Sequence, residues 1–391
     1  MIQPVTPPQG RPLVSAVTGT NGKTSVATAT LQIMKHLGWR AASYDSTGIT
    51  DVEGVLHEAK TLRSADYLPD LIDSQARAGA DAISLEAFVG ILADGLFERV
   101  EVDTAVSTGL ERDHIDVHGS IDAYWGAKLR LFEEYLRMDG VAIMATDSAQ
   151  GDMVRAAVKK RGARLVTVGD GGEIGLVGTE EADGRLRGRL TIDDASFPVL
   201  LPTVHSIAVT NLLLAAAAVI GAGGEPSAVA EALSEVTPPP GRLQLIAERD
   251  GVVAMVDTAH NPGALRTALQ AVRARTPGRL VLVFGAGGER DRGKRRPMGE
   301  IARSLADLVV LTDDNPRREP PDRIRREVRA GVPESIEIPL RRDAIVAALE
   351  MARPGDTVLV AGKGDEHYQL VGTQRLPHDD RVVILEVMSR P

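Results

Sequence analysis

The sequence predicts an α/β protein built on mostly parallel sheets, and three observations predict it. Apolar runs of strand length recur along the 391 residues, helical patterns separate most of them, and one run feeds a glycine turn that opens a helix. That run, Leu13 to Val17, leads into TGTNGKTS at Thr18 to Ser25, and a helical pattern follows from Val26 to His36. A strand, a tight turn and a helix in this order direct successive backbone N–H groups to one point, which suits phosphate. Gly19 and Gly22 allow close backbone approach, Thr20, Asn21 and Ser25 lie along the same turn, Lys23 reaches the outer phosphates, and the Thr24 hydroxyl suits Mg2+. The general pattern G-x-x-x-x-G-K-[ST] puts glycine where this chain has Val17, so the loop is a variant of the motif, and the chain is expected to handle a nucleotide.

Further along, Ala82 to Leu85, Thr104 to Ser107, Val141 to Ala145, Val281 to Gly285, Leu308 to Thr312 and Thr357 to Ala361 read as buried strands. From Leu165 to Pro202 the runs shorten and turn pairs appear at Asp183-Gly184 and Asp193-Asp194, which predicts a small antiparallel excursion. Thr237-Pro238-Pro239-Pro240-Gly241 cannot continue a helix and reads as a stiff hinge. It divides a nucleotide domain, 1–238, from a second α/β domain, 239–391.

Composition narrows the function. Hydrophobic residues make up 43% of the chain, ordinary for packed cores, and the net charge of −9 offers no electrostatic footprint for nucleic acid. With no cysteine, disulfides, zinc–thiolate sites and thiol nucleophiles are excluded. The N-terminus lacks a signal pattern, and the best apolar run, Leu212 to Gly223, is too short to span a bilayer. The chain reads as soluble and cytoplasmic, acting on small molecules with no membrane or nucleic-acid partner.

Asp113 to Gly119 (DHIDVHG) precede a helix that should start near Ser120, a good N-cap, and run to about Leu136. Ile121, Trp125, Leu129, Phe132 and Leu136 form its apolar stripe, and Lys128 emerges on or beside that buried face. A buried ammonium needs a partner or a chemical change; on helix geometry alone, snorkelling to the surface is the favoured alternative.

Together these motifs resemble the Mur ligase superfamily, and within it the MurE-type ligases. The resemblance is carried by eight blocks in order: TGTNGKTS at 18–25, ERDHIDVHGSIDAYWGAKLRLFEE at 111–134, TNLLLAAAAV at 210–219, GRLQ at 241–244, DTAHNPGAL at 257–265, FGAGGERDRGKRRPMGEIA at 284–302, DDNPR at 313–317 and AGKGDEHYQLVG at 361–372. It implies a P-loop central domain followed by a Rossmann-like C-terminal domain, and an ATP- and Mg2+-dependent ligase that activates a carboxylate as an acyl phosphate before an amine displaces phosphate. It further implies that Lys128 is carbamylated, that Thr24 and Glu86 hold one Mg2+, and that His114 with the Lys128 carbamate holds a second. Asn211 would contact adenine, Arg242 and Asp257 would reach ATP, and His118 would be structural. Arg290, Asp314, Asn315, Arg317, Gly362 and Glu366 would surround the incoming amino acid, a diaminopimelate-like compound.

Some positions depart from that pattern. Only 17 residues precede the phosphate loop, where MurE-type ligases carry about a hundred that bind the UDP-sugar. Arg63-Ser64-Ala65-Asp66 stands for their TTP string, Ala87-Phe88-Val89-Gly90 follows Glu86 where they have x-S-S-H, and Asp365 replaces the histidine of GKGHE. Phosphate and metal positions are kept while acceptor segments change, so a carboxylate acceptor other than a UDP-muramoyl compound is expected. Asp257 to Pro262 (DTAHNP) is closer to the strings of folylpolyglutamate and cyanophycin synthetases, the alternative reading among ligases. A nucleotide-binding subunit that has lost catalysis is the alternative from another class, against which stand Glu86, His114, Lys128, Asp257 and Arg242. A P-loop kinase or GTPase is disfavoured by Val17.

Overall fold

The computed structural model describes residues 2–6, 10–58, 66–113, 119–182 and 184–390. The chain divides into two compact units: Met1–Arg112 with Ser120–Pro238, and Pro239–Pro391, which takes in Asp113 and Gly119.

The first unit is built on one sheet in the order β11-β10-β9-β8-β7-β6-β1-β5-β2-β3-β4. Its strands are β1 (Leu13–Thr18), β2 (Ala41–Asp45), β3 (Gly48–Thr50), β4 (Leu56–His57), β5 (Ala82–Glu86), β6 (Val102–Ser107), β7 (Leu136–Ala145), β8 (Arg164–Val168), β9 (Ile174–Ala182), β10 (Arg185–Ile192) and β11 (Ala195–Leu201). From β2 to β9 across the sheet every pairing is parallel. The excursion expected between 165 and 202 is β9 to β11, an antiparallel meander that prolongs the same sheet, with Asp193 left-handed (φ 50°) in the second turn. Successive residues of β1 face opposite layers: Leu13 and Val17 join one core, Val14 and Ala16 the other. The first core lies under the helices Lys23–His36 and Ser206–Gly221. Ser206–Gly221 is buried along its whole second half, which explains why its sequence is apolar on all sides.

The chain goes from β1 to β2 on one side, returns to β5, then crosses to β6 on the other. β1 therefore sits at the switch point, where the C-terminal strand ends leave a crevice for ligands. The phosphate loop and Glu86 both lie at this edge.

Ser120 caps the next helix as expected, its hydroxyl accepting from Ala123 N at 3.1 Å. The helix ends sooner than its apolar stripe suggests: it covers Ile121–Arg130, a wide π turn takes Leu131–Tyr135, and Leu136 already belongs to β7. Leu136 pairs with Val102 of β6, so the sheet supplies its backbone partner instead of the helix.

The second unit has a sheet in the order β12-β13-β17-β14-β15-β16, from β12 (Gln244–Arg249), β13 (Val252–Asp257), β14 (Leu280–Phe284), β15 (Leu308–Leu311), β16 (Ile336–Glu337) and β17 (Thr357–Ala361). All pairings are parallel except β12 with β13. Helices Pro262–Arg273 and Arg295–Leu305 cover one face, and Arg341–Met351 and Asp380–Met388 the other. A hairpin, β18 (Tyr368–Val371) with β19 (Gln374–Pro377), follows β17. Among the described residues no helix is long and apolar enough to cross a membrane.

Candidate active site

In the first unit the turn between β1 and the helix Lys23–His36 is fixed by glycine conformations that a side chain would oppose. Gly19 (φ 143°) lies against Thr108 and Gly109, and Gly22 caps the helix in the left-handed region (φ 84°). A Cβ on Gly22 would lie 2.8 Å from Asn211 Oδ1, which places Asn211 of the helix Ser206–Gly221 directly beside the loop. The segment after β6 supports the loop from the other side. Thr20 N donates to Gly109 O at 2.8 Å, Glu111 N donates to Thr20 Oγ1 at 2.8 Å, and Asn21 Nδ2 donates to Glu111 Oε2 at 2.9 Å. Ser25 is half-buried in the first helical turn.

Glu86 ends β5 with 2% of its surface exposed, and oxygen donors gather around it. Its Oε2 accepts from the Thr24 hydroxyl at 2.8 Å and from Ser46 N at 3.2 Å; the Thr24 and Ser46 hydroxyls are 3.0 Å apart. Lys23 Nζ donates to Thr20 O at 3.0 Å and stands 3.9 Å from Glu86 Oε1. A carboxylate and two hydroxyls are hard oxygen ligands of the kind Mg2+ takes. No group of three or more His, Cys, Asp or Glu side chains is placed to hold a metal among the described residues. A site of one carboxylate plus hydroxyls matches an ion that keeps waters and substrate phosphates as its remaining ligands.

Lys128 does not snorkel. It is 1% exposed, its ammonium donates to Gly19 O at 2.7 Å, and it lies 4.7 Å from the centre of the Tyr124 ring. The stripe reading put it near the buried face; the partner it needed is the phosphate loop itself. As an ammonium it braces the loop and cannot ligate a cation, so a metal-binding role requires the carbamate. His114 and His118, like Arg63 to Ala65, lie outside the described residues.

In the second unit, Arg242 Nη1 donates to Thr258 Oγ1, and both Asp257 oxygens accept backbone amides, from Leu243 and from Ala259, each at 2.8 Å. Asp257 thus ties the segment carrying Arg242 to the end of β13; burial raises its pKa in spite of the opposing Arg242 charge.

Asp314, Asn315, Arg317, Gly362 and Glu366 come together at the C-terminal ends of β15 and β17, with Arg290 on the loop after β14. Gly362 is left-handed (φ 116°), and a Cβ there would lie 2.5 Å from Asp314 Oδ2. Asn315 Nδ2 donates to Glu366 Oε2 at 3.0 Å. Arg317 Nη1 donates to Gly288 O at 2.8 Å, and burial together with the nearby Arg290 charge lowers the Arg317 pKa. Neighbouring guanidinium groups are of the kind that pairs with carboxylates.

Sequence reasoning missed Ser46, whose amide donates to Glu86 and whose hydroxyl meets that of Thr24, and Tyr124, whose ring lies against Lys128. It also missed two buried cations beneath the second cluster. Lys363 is 1% exposed, and Arg341 pairs with Asp380 through bonds of 2.8 and 2.7 Å, both side chains 0% exposed. Lys363 lies within the AGKGDEHYQLVG block, where nothing in the spacing marks a lysine as buried.

Comparison with known proteins gives two family matches. Residues 17–219 match the Mur ligase middle domain, and residues 241–364 match the family described as Mur ligase, glutamate ligase domain. The UDP-N-acetylmuramoyl-L-alanyl-D-glutamate--2,6-diaminopimelate ligase of Zymomonas mobilis is 39% identical over 383 residues, covering 96% of this chain and 79% of that protein. Its counterpart in Bradyrhizobium diazoefficiens is 39% identical over 381 residues, with the same coverage of 96% and 79%. A solved structure of a ligase of that name has a TM-score of 0.66 at 31% identity, covering 98% of this chain and 79% of the other. The folylpolyglutamate synthase of Mycobacterium tuberculosis with ADP shares the fold, with a TM-score of 0.71 at 21% identity over 90% of this chain and 88% of that one.

Proposed function

Because the chain belongs to the Mur ligase family and carries both its middle and its glutamate ligase domains, we propose that it joins a diaminopimelate-like amino acid to a carboxylate acceptor through an acyl phosphate. It is an ATP-dependent acid–amino-acid ligase. The observation that carries the reading is the set of Thr24, Ser46 and Glu86 oxygens converging beside Lys23 at the mouth of a glycine turn.

The acceptor carboxylate attacks the γ-phosphorus of ATP, ADP leaves, and the amine of the amino acid then attacks the acyl carbon and expels phosphate. The amine loses a proton as the amide forms. We propose that Lys23 meets the charge growing on the transferred group, and that Arg242, bonded to Thr258 within the second unit, is a further cation for it. Thr24, Ser46 and Glu86 would hold Mg2+, which neutralises phosphate oxygens when bound. His114 and a Lys128 carbamate are our proposed ligands for a second ion, and Asn211 our proposed adenine contact.

Arg290 and Arg317 grip a carboxylate of the amino acid, and Glu366 takes its distal ammonium. Phe88, two residues after Glu86, packs edge-to-face on Tyr44 at 6.0 Å as part of an apolar cluster, where the family has a small polar residue. This supports an acceptor other than the UDP-muramoyl dipeptide. The test is ADP release from ATP with UDP-N-acetylmuramoyl-L-alanyl-D-glutamate or a fractionated metabolite extract as acceptor source, and 2,6-diaminopimelate, glutamate or arginine as donor. We expect release that needs both an extract fraction and diaminopimelate; a glutamate or arginine requirement would favour the folylpolyglutamate- or cyanophycin-type reading instead.

A further inference from the structure

Lys363 sits in the turn between β17 and β18 with its side chain 0% exposed. An ammonium fully removed from water is costly unless its protons are matched. Here all three are: Nζ donates to Tyr368 O at 2.7 Å, to Asn315 Oδ1 at 2.9 Å and to Glu366 Oε2 at 3.0 Å.

Two of these acceptors belong to the pocket for the incoming amino acid, and the third bond fixes the turn that carries Glu366. Asn315 Oδ1 also accepts from Leu370 N at 2.9 Å, so the carbonyl end of the amide faces two donors while Nδ2 faces Glu366 at 3.0 Å. Flipping that amide would set carbonyl against carboxylate and NH2 against two donors. Glu366 Oε2 is in turn occupied by two donors, Asn315 and Lys363, whereas Oε1 accepts no hydrogen bond among the described residues. Glu366 is about one-third exposed, so Oε1 is the atom left for a ligand.

We propose that Lys363 is a positioning residue for amino-acid selection: by holding Asn315 and one oxygen of Glu366, it fixes the carboxylate so that the other oxygen is turned toward a second ammonium on the substrate. This rests on the reading that the cluster binds the incoming amino acid. Lys363 touches no substrate; it acts through Glu366. Without it, one donor remains on Glu366 and the support beneath is gone, so the carboxylate turns away and discrimination is lost.

The experiment measures calorimetric Kd values of the full chain, with ADP and Mg2+ present, for 2,6-diaminopimelate and for 2-aminopimelate, which lacks the second ammonium. For the unaltered protein the ratio of the two should be about 10- to 100-fold in favour of diaminopimelate, the range for a hydrogen bond between charged groups. In Lys363→Met the ratio should fall toward one while affinity for 2-aminopimelate changes little. In Glu366→Gln it should fall likewise, and the double variant should be no worse than Glu366→Gln alone, because one residue acts through the other. If Lys363→Met does not fold, Lys363→Gln, which keeps donors for Asn315 but drops the charge, is measured with the same expectations. A ratio unchanged in Lys363→Met, or a double variant whose losses multiply, overturns the role of Lys363. No binding of either compound by the unaltered protein overturns the pocket reading and this inference with it, an outcome distinct from the first two.

Discussion

Replacing Gly22 by alanine probes the phosphate loop with the smallest possible side chain. At φ 84° the left-handed backbone costs an L-residue roughly 1–2 kcal/mol. The added Cβ would stand 2.8 Å from Asn211 Oδ1 and 3.3 Å from its Nδ2, too close to keep the amide where it is. Because the obstacle is the end of a side chain, Asn211 can swing aside, at about 1 kcal/mol for a displaced polar contact. The sum is about 2–3 kcal/mol against folding of the loop in its native form, part of it felt as weaker ATP binding. Scanning calorimetry and ATP titration on Gly22→Ala, alone and with Asn211→Ala, read both parts. Without the amide, the alanine penalty should shrink to the backbone share. Equal penalties in the two backgrounds, or a Gly22→Ala protein with unaltered Tm and ATP affinity, would refute the packing argument.

Other outcomes follow from the same geometry. Asp380→Asn leaves the Arg341 guanidinium buried without its counter-charge and should destabilise the second unit by about 3–5 kcal/mol in urea unfolding. Glu319, hydrogen-bonded to the buried Arg295, has its pKa depressed to about 2 from 4.5. Its contribution is therefore complete above pH 4.5 and lost as pH falls toward 2, so the Tm gap between the unaltered protein and Glu319→Gln should close over that interval. Glu86→Gln should raise the Mg2+ concentration needed for half-maximal ADP release without abolishing folding. Lys128→Ala should lower turnover by about 100-fold or more if the carbamate takes part in charge stabilisation, and labelled bicarbonate should mark the unaltered protein, but not the variant, by carbon NMR.

Local features were legible in the sequence. The phosphate loop could be read because glycine, lysine and threonine act within eight residues, and the meander because Asp193-Asp194 is a turn signal in its own right. The end of the helix after Ser120 was not legible. Phe132 and Leu136 keep helical spacing, yet Leu136 is claimed by a backbone partner in β6 that lies far away in sequence. Distance along the chain also hid the roles of the buried cations: Lys128 is 109 residues from Gly19, and Lys363 is 48 from Asn315. Ser46 escaped for the same reason, 40 residues from Glu86. A lone charge or hydroxyl carries no periodic signal, and only the folded chain supplies its partner.

The central claim is that Lys23, Thr24 and Glu86 serve phosphoryl transfer to a carboxylate, and hydroxylamine tests it most directly. Incubated with ATP, Mg2+ and an acceptor fraction but no amino acid, the protein should yield a hydroxamate in step with ADP, and Lys23→Ala should yield neither. ADP release with no hydroxamate, or a Lys23→Ala protein that traps as much as its parent, would contradict the account.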